Sequence, residues 1–541
     1  MQTQLFTKLI SQFFKKTFIK LSYYYFIVIP TFQTQGITSM FKLSPFALTF
    51  SSALFFAATA HAAPVVENPQ FWLNSGAESL KESVKLKANT SNAKNVILFV
   101  GDGMGISTIT AARIFEGQLN NSPLGGEENS LSFEKMPHLA LSKTYSVNQQ
   151  TSDSAPTMTA MIAGVKTNDG ELSVGADVIR SEISGDVIAR NSVKTLLEQA
   201  EEKGLSTGIV STARLTHATP AACYAHTSDR DWEWDAYSKM PAGVTVSDIA
   251  KQLIEFKYGN GLEVAMGGGR SNFLPNTLTD PEESSKKGGR KDGRDLTQEW
   301  LAKQPKSAYV FDQQGFDAID PKNTDHLLGL FDIDHMEYEA DRAKDTGKEP
   351  SLTQMTKKSI DILSKNKKGY VLMVEAGRID HAHHAGNAYR ALTDTVELSN
   401  AVKYALDNTN PKETLIIVTA DHSHTFTIAG YPGRGNPILG LVKSPGKDVF
   451  DKDVNGMPYT TLGYANGPGF RKSGRVDLTA VNTAHPDFLQ EATIPLGSET
   501  HAAEDVAIFA NGPKAYLFHG VQEQSYIYQV MASALKFKAG Q

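Results

Sequence analysis

The chain has 541 residues, 40% hydrophobic and 21% charged, an ordinary balance for a soluble globular protein. A single cysteine, Cys223, excludes an intrachain disulfide framework, and no apolar run reaches the ~20 residues of a membrane-spanning helix. The formal charge of −6 becomes −11 once the five lysines of residues 1–62 are set aside. A body that acidic excludes the basic face that nucleic acid requires.

The amino-terminal segment differs from the rest. Residues 1–62 hold no acid, and the first acidic residue is Glu67. After Met40, a short basic stretch (Phe41-Lys42) precedes an apolar run over 46–58, and Ala60-His61-Ala62 fits a small-residue cleavage site before Ala63. This order predicts a leader over 1–62, with Met40 as an alternative start, and a mature chain over 63–541. The product is then periplasmic or extracellular. No cysteine stands directly after the apolar run, so no lipid anchor is expected.

Four apolar runs follow in chain order, and each ends in polar residues. They are 96–100 before Gly101-Asp102-Gly103, 208–210 before Ser211-Thr212, 370–374 before Glu375, and 415–419 before Ala420-Asp421-His422. Apolar on both faces, they read as buried parallel strands. Amphipathic patterns over 192–203, 248–256, 352–364 and 389–406 read as helices between them. The alternation predicts an α/β fold, an α/β/α sandwich around a large, mostly parallel sheet. Ligands of such sheets bind beyond the carboxyl ends of the strands, where Asp102, Glu375, Asp421 and His422 fall. Polar residues over 270–300 read as an exposed loop, and the Gly- and Pro-rich 427–495 as an insertion outside the main sheet.

In Asp380-His381-Ala382-His383-His384, Asp380 and His384 lie four apart. On a helix they share a face and can grip one ion together. Asp421 and His422 are neighbours and converge only if their strand has ended. In Thr151-Ser152-Asp153-Ser154-Ala155-Pro156, Pro156 marks a helix start. Ser154 at its N-terminus would sit where the dipole and free N–H groups favour an alkoxide and a phosphate. Read blandly, Asp153 or Ser154 is a helix cap and Asp102 another.

Together these motifs, with Ser498-Glu499-Thr500-His501-Ala502-Ala503-Glu504-Asp505-Val506, resemble the alkaline phosphatase family and its animal-type branch in particular. The resemblance runs from about Asn68 to about Val530. It implies hydrolysis of small phosphate monoesters through a phosphoserine on Ser154, with Arg230 clamping the phosphoryl oxygens; Arg214 is the local competitor. It implies two zinc ions, one on Asp380, His384 and His501 and one on Asp102, Asp421 and His422. A magnesium ion falls to Asp102, Thr219 and Glu375, with His217, His381 and Asp153 supporting. Glu282, Phe331, Asp332 and Glu349 loosely match a calcium-type site. The insertion 427–495 is similar to the crown of the animal enzymes and implies a homodimer. A phosphodiesterase of the same superfamily and an inactive phosphate- or zinc-binding protein are the competing functions. Sequencing the amino terminus of secreted protein is expected to start at Ala63; any other start overturns the leader reading.

Overall fold

The computed structural model describes residues 67–237 and 240–538, so the leader read at 1–62 lies outside the described residues. Fifteen strands occur among them. They are β1 (Asn95–Gly101), β2 (His138–Lys143), β3 (Ser206–Arg214), β4 (Val264–Gly268), β5 (Ser307–Val310), β6 (His326–Leu330), β7 (Tyr370–Ala376), β8 (Thr414–Ala420), β9 (Ser423–His424), β10 (Phe426–Ile428), β11 (Leu462–Gly467), β12 (Ala492–Pro495), β13 (His501–Ala502), β14 (Val506–Asn511) and β15 (Val521–Glu523). Ten of them form one sheet in the order β15-β2-β14-β8-β1-β7-β3-β4-β6-β5. Only β14 runs against its neighbours; every other pairing is parallel. The expected large, mostly parallel sheet is present.

The four runs singled out in the sequence are the contiguous centre of this sheet, β8-β1-β7-β3. Their side chains alternate between two cores. Val96, Leu98 and Val100 of β1, with Val371, Met373, Leu415 and Ile417, face one side. Ile97, Phe99, Leu372, Val374, Ile416 and Val418 face the other. Each face is covered by helices: Ser154–Ala163, Leu196–Glu202 and Tyr526–Leu535 on the first, and Ile106–Leu119, Leu352–Leu363 and Ala388–Asn408 on the second. Burial on both faces is why the runs are continuous rather than alternating. Each fully buried Val, Leu or Ile stabilises the fold by roughly 1.5–3 kcal/mol.

Two expectations are corrected. The helix read over 192–203 begins later, at Leu196, because Thr195 and Glu198 form a reciprocal capping box. The segment 270–300 is not a solvated loop throughout. Arg270 and Arg290 are fully buried, Arg270 against Asp280 and Glu282, and Arg290 against Asp248 and Asp292. Paired guanidinium groups tolerate burial that a polar composition does not announce. No main-sheet strand falls within 427–495; β10, β11 and β12 there belong to a separate three-stranded sheet.

At the amino-terminal edge of the sheet, two acids are buried together. Glu201 and Glu263 are 2% and 7% exposed, and Glu201 hydrogen-bonds Glu263. Thr207 donates its hydroxyl to Glu201 Oε1 at 2.6 Å and its N–H to Glu263 Oε2 at 2.7 Å. Burial first, and the charge of Glu263 second, push the Glu201 carboxyl up to about 9. As pH rises above the ordinary carboxylate range, the unfolded chain releases this proton and the folded chain keeps it. Stability is therefore lost progressively up to about pH 9. Glu201→Gln is expected to melt a few degrees above the parent at about pH 9 and level with it at about pH 4. Melting curves with parallel pH dependence in the two proteins would rule this out.

Candidate active site

Register decides which acids meet. Gly101, the last residue of β1, lies level with Ala376 of β7 on one side and Ala420 of β8 on the other. Asp102 and Asp421, the next residues, therefore emerge at one height, with Glu375 one position below. Gly103 follows with φ +69°, and a Cβ there would stand 2.3 Å from His424 Nε2. Only glycine lets the chain turn away so close to an imidazole. Asp102 is not a cap, because Gly105 holds the N-cap position of the helix Ile106–Leu119.

Ser154 is the first residue of the helix Ser154–Ala163, all of whose side chains are buried. Asp153 holds the N-cap position but makes no side-chain cap bond. Its carboxylate instead accepts from Arg230 Nη1 at 3.0 Å. Ser154 Oγ lies 3.5 Å from Asp102 Oδ1 and 3.2 Å from His422 Nε2. Beyond the end of β8, His422 Nε2 is 3.2 Å from Asp421 Oδ2 and 3.5 Å from Asp102 Oδ1. These three side chains form one group suited to a cation.

A second group lies alongside. Asp380 and His384 are one turn apart on the helix Arg378–His384, as their spacing requires. Asp380 Oδ1 is 3.4 Å from His384 Nε2 and 3.2 Å from His501 Nε2. His384 Nδ1 donates to Glu499 O at 2.6 Å, and His501 Nδ1 donates to Ser152 O at 2.8 Å. A carbonyl only accepts, so a neutral ring at either place keeps its lone pair on Nε2. The two Nε2 atoms face each other at 3.0 Å beside a carboxylate, an arrangement that calls for a positive charge between them. His424, which joins this group, plays another part. Its Nε2 is 2.8 Å from Asp380 Oδ1 and its Nδ1 2.5 Å from Glu499 Oε2. Burial alone would lower its pKa, but Asp380 and Glu499 push it up to about 9. It is an imidazolium that holds Asp380 in place. Burial would likewise raise Asp380, but His384, His424 and His501 outweigh it and hold that carboxyl well below its usual range.

The third group is Asp102, His217 and Glu375. Ser211 donates a short hydrogen bond to Glu375 Oε2. Thr219, on the short helix Ala218–Ala221, approaches Glu375. Burial, then neighbouring acids, raise Asp102 well above its usual range, and burial leads in pushing Glu375 up to about 7. Asp102 Oδ2, Asp421 Oδ2, Glu375 Oε1, Thr219 Oγ1 and His217 Nδ1 are all buried without hydrogen-bond partners. Orphaned oxygens crowded against like charge fit divalent cations. His217 Nε2 meets Arg230 Nη2 at 2.9 Å, and the His381 ring lies 5.3 Å from that of His217. Arg214, the alternative clamp, is committed to Glu233 and Asp334.

Farther off, Asp332, Asp345 and Glu349 converge, with Glu349 pushed up to about 9 and Asp332 to about 7, chiefly by burial. Of the other residues named for this place, Glu282 pairs with Arg270 at 2.8 Å, and the Phe331 side chain is buried in the core. Sequence reasoning missed Asp345, and also His424, Glu499 and Ser211. The last three stand inside or beside motifs already noted, but spacing does not separate a ligand from the group that supports it.

A family model described as alkaline phosphatase matches residues 93–537. The chain belongs to the alkaline phosphatase family. The tissue-nonspecific isozyme of alkaline phosphatase from Gallus gallus is 44% identical over 480 residues, covering 86% of this chain and 89% of the relative. The Homo sapiens isozyme is 44% identical, covering 86% and 88%. Alkaline phosphatase from Gadus morhua is 43% identical over 477 residues, covering 86% and 97%. Among solved structures, alkaline phosphatases of the Antarctic bacterium TAB5 and of Thermus thermophilus share the fold. Their TM-scores are 0.57 and 0.59, at 23% and 24% identity, and they cover 83% of this chain and 100% and 93% of their own. The chain is thus an enzyme of the alkaline phosphatase class, and its family uses metal ions.

Removing divalent ions by chelation and dialysis is expected to lower the melting temperature more at about pH 8 than at about pH 5. At the lower pH, protons take over part of the neutralisation of Asp102, Glu375 and Asp421. Equal losses at the two pH values would contradict the like-charge account of the site.

Proposed function

We propose that the chain is a secreted alkaline phosphatase of broad specificity that hydrolyses phosphate monoesters through a phosphoserine at Ser154. The reading rests on one observation above the others. The Ser154 hydroxyl stands at a helix N-terminus within 3.5 Å of Asp102 and His422, at the rim of acids whose outward oxygens have no partner.

Asp380, His384 and His501 would hold one zinc ion, and Asp102, Asp421 and His422, with Ser154 Oγ, a second. Asp102, Thr219 and Glu375 would hold magnesium, supported by His217 and His381. Asp332, Asp345 and Glu349, near Glu282 and Phe331, would take calcium. Cations in the three central places supply charge that neutralises phosphoryl oxygens and favours the ionised form of a bound hydroxyl or water.

The chain's own groups do the positioning. The free N–H groups of the helix Ser154–Ala163 and its dipole favour an anion at Ser154. Ser154 Oγ attacks phosphorus, the ester oxygen leaves as the alcohol, and a Ser154–phosphate bond forms. Water then breaks that bond, releasing inorganic phosphate and restoring the hydroxyl. Arg230, aimed by Asp153 and His217, presents a planar fork to two non-bridging oxygens, a geometry that lysine cannot copy. All of these contacts fall on the phosphoryl group, so the alcohol is barely read and specificity is broad.

The helix Pro69–Lys85 supports a homodimer. It has no buried residue and leaves Trp72, Leu73, Leu80 and Val84 exposed, a face suited to a second subunit. Among the described residues no helix is long and apolar enough to cross a membrane. Release beyond the inner membrane, periplasmic or extracellular, follows from the leader.

Ser154→Ala is expected to abolish labelling by a phosphate ester and to lower kcat at least ~10³-fold. Near-parental turnover would end the assignment. Arg230→Ala is expected to weaken inhibition by inorganic phosphate roughly tenfold or more; an unchanged inhibition constant removes Arg230 from the phosphoryl site.

A further inference from the structure

Beside His217 lies a histidine that no step above uses. His335 sits in the turn Asp334-His335-Met336 after β6. Its ring centroid is 4.1 Å from that of His381 at an interplanar angle of 59°, and 5.2 Å from that of His217, edge to face at 80°. The rings of His217 and His381 meet edge to face at 5.3 Å. Three imidazoles from three separate chain segments thus touch pairwise.

Each also meets its own arginine. Arg230 Nη2 donates to His217 Nε2 at 2.9 Å, and Arg378 Nη1 donates to His381 Nδ1 at 3.1 Å. Arg214 reaches His335 twice, with its backbone N–H at 3.1 Å from Nδ1 and its Nη1 at 2.6 Å from Nε2. A neutral ring accepts one of these at a time. A guanidinium only donates, so the facing nitrogens of His217 and His381 are acceptors, and both rings are neutral. Burial first, with Arg230 and Arg378 next in the two cases, holds them so. The outer arginines are anchored in turn. Arg214 is fixed by Glu233 at 2.7 Å and Asp334 at 2.5 Å, and Arg378 lies 3.7 Å from the Tyr338 ring centroid. The Arg230 guanidinium hydrogen-bonds Asp153 and His217, and these two contacts set its orientation.

We propose that His335 is a positioning residue for the phosphoryl site: it wedges against His217 and His381 and so fixes the imidazole that aims Arg230. The inference rests on the reading of Arg230 as the phosphoryl clamp. Without the wedge, the His217 ring can tilt into the space left behind and carry the guanidinium with it. Misaiming a clamp weakens ground-state and product binding alike, whereas a general loss of folding does not separate KM from kcat.

The test uses the enzyme loaded with zinc and magnesium. Measurements are kcat and KM for an aryl phosphate, the inhibition constant of inorganic phosphate, metal content and melting temperature. The variants are His335→Ala, His335→Phe, Arg230→Ala and the Arg230→Ala/His335→Ala double variant. In His335→Ala, KM and the phosphate inhibition constant are expected to rise together, on the order of tenfold, with kcat changed less than about threefold. His335→Phe, which keeps the ring contacts, is expected to recover most of that loss. In the Arg230→Ala background, His335→Ala is expected to add nothing. Unchanged phosphate inhibition in His335→Ala, additive effects in the double variant, or a His335→Phe no better than His335→Ala each overturn the proposal. So does the loss of a bound metal ion in His335→Ala, which makes His335 a ligand instead. If His335→Ala does not fold, His335→Phe against His335→Asn decides the same question. Unchanged phosphate inhibition in Arg230→Ala sinks the clamp itself, and that result is separate from any obtained at His335.

Discussion

Like charge crowded at one sheet edge is the constraint around which this molecule is built. Asp102, Glu375 and Asp421 are fully buried and Asp380 nearly so, and the parallel register of β1, β7 and β8 sets the first three side by side. Two unit charges 4 Å apart at an effective dielectric of about 20 repel by about 4 kcal/mol. Asp380 has His424 against it, but for Asp102, Glu375 and Asp421 the protein offers little to offset this. Arg230 is paired with Asp153, and the imidazoles of His217, His381 and His422 are held neutral chiefly by burial. A chain that gathers acids so tightly while leaving their oxygens without partners is shaped for cations, and folding and function are then coupled through the same ions.

The surrounding groups show how such a cradle keeps its shape. Glu499 ties three parts of it together. Its carbonyl sets the His384 tautomer, one carboxylate oxygen holds His424, and the other accepts from Thr425 N–H at 2.7 Å. The pairing of β9 with β13 places His501 directly opposite His424. These two short strands are separated in sequence by the whole insertion, so the small sheet closes the site after a long excursion of the chain. Hydrogen bonds donated by His384 and His501 to backbone carbonyls fix which nitrogen of each ring turns inward.

Chemistry and stability occupy opposite edges of the large sheet. The carboxyl edge carries the acids, the histidines and Ser154. The amino edge carries the buried pair Glu201 and Glu263, held by Thr207 at the start of β3. Both edges bury carboxyls, but with opposite consequences. One set is positioned to be neutralised from outside, and the other retains a proton of its own.

The central strands were legible because burial on both faces leaves continuous apolar runs; their order in the sheet was not, since it is set by pairing between separate segments. Strands β2 and β15 escaped notice because they lie toward a sheet edge with half-exposed side chains, and β4 because two of its five residues are glycine. Asp380 and His384 could be paired from spacing, since a helix repeats every 3.6 residues. Local chemistry thus determined which residue types stand at the strand ends and which segments are helix or strand. Tertiary structure alone decided that His501 meets His384, that His424 lies between two carboxylates, that Arg230 pairs with Asp153 and Arg214 with Glu233 and Asp334, and that His335 joins His217 and His381. Those facts depend on contacts between separate segments, His501 and His384 being 117 residues apart, which no local periodicity encodes.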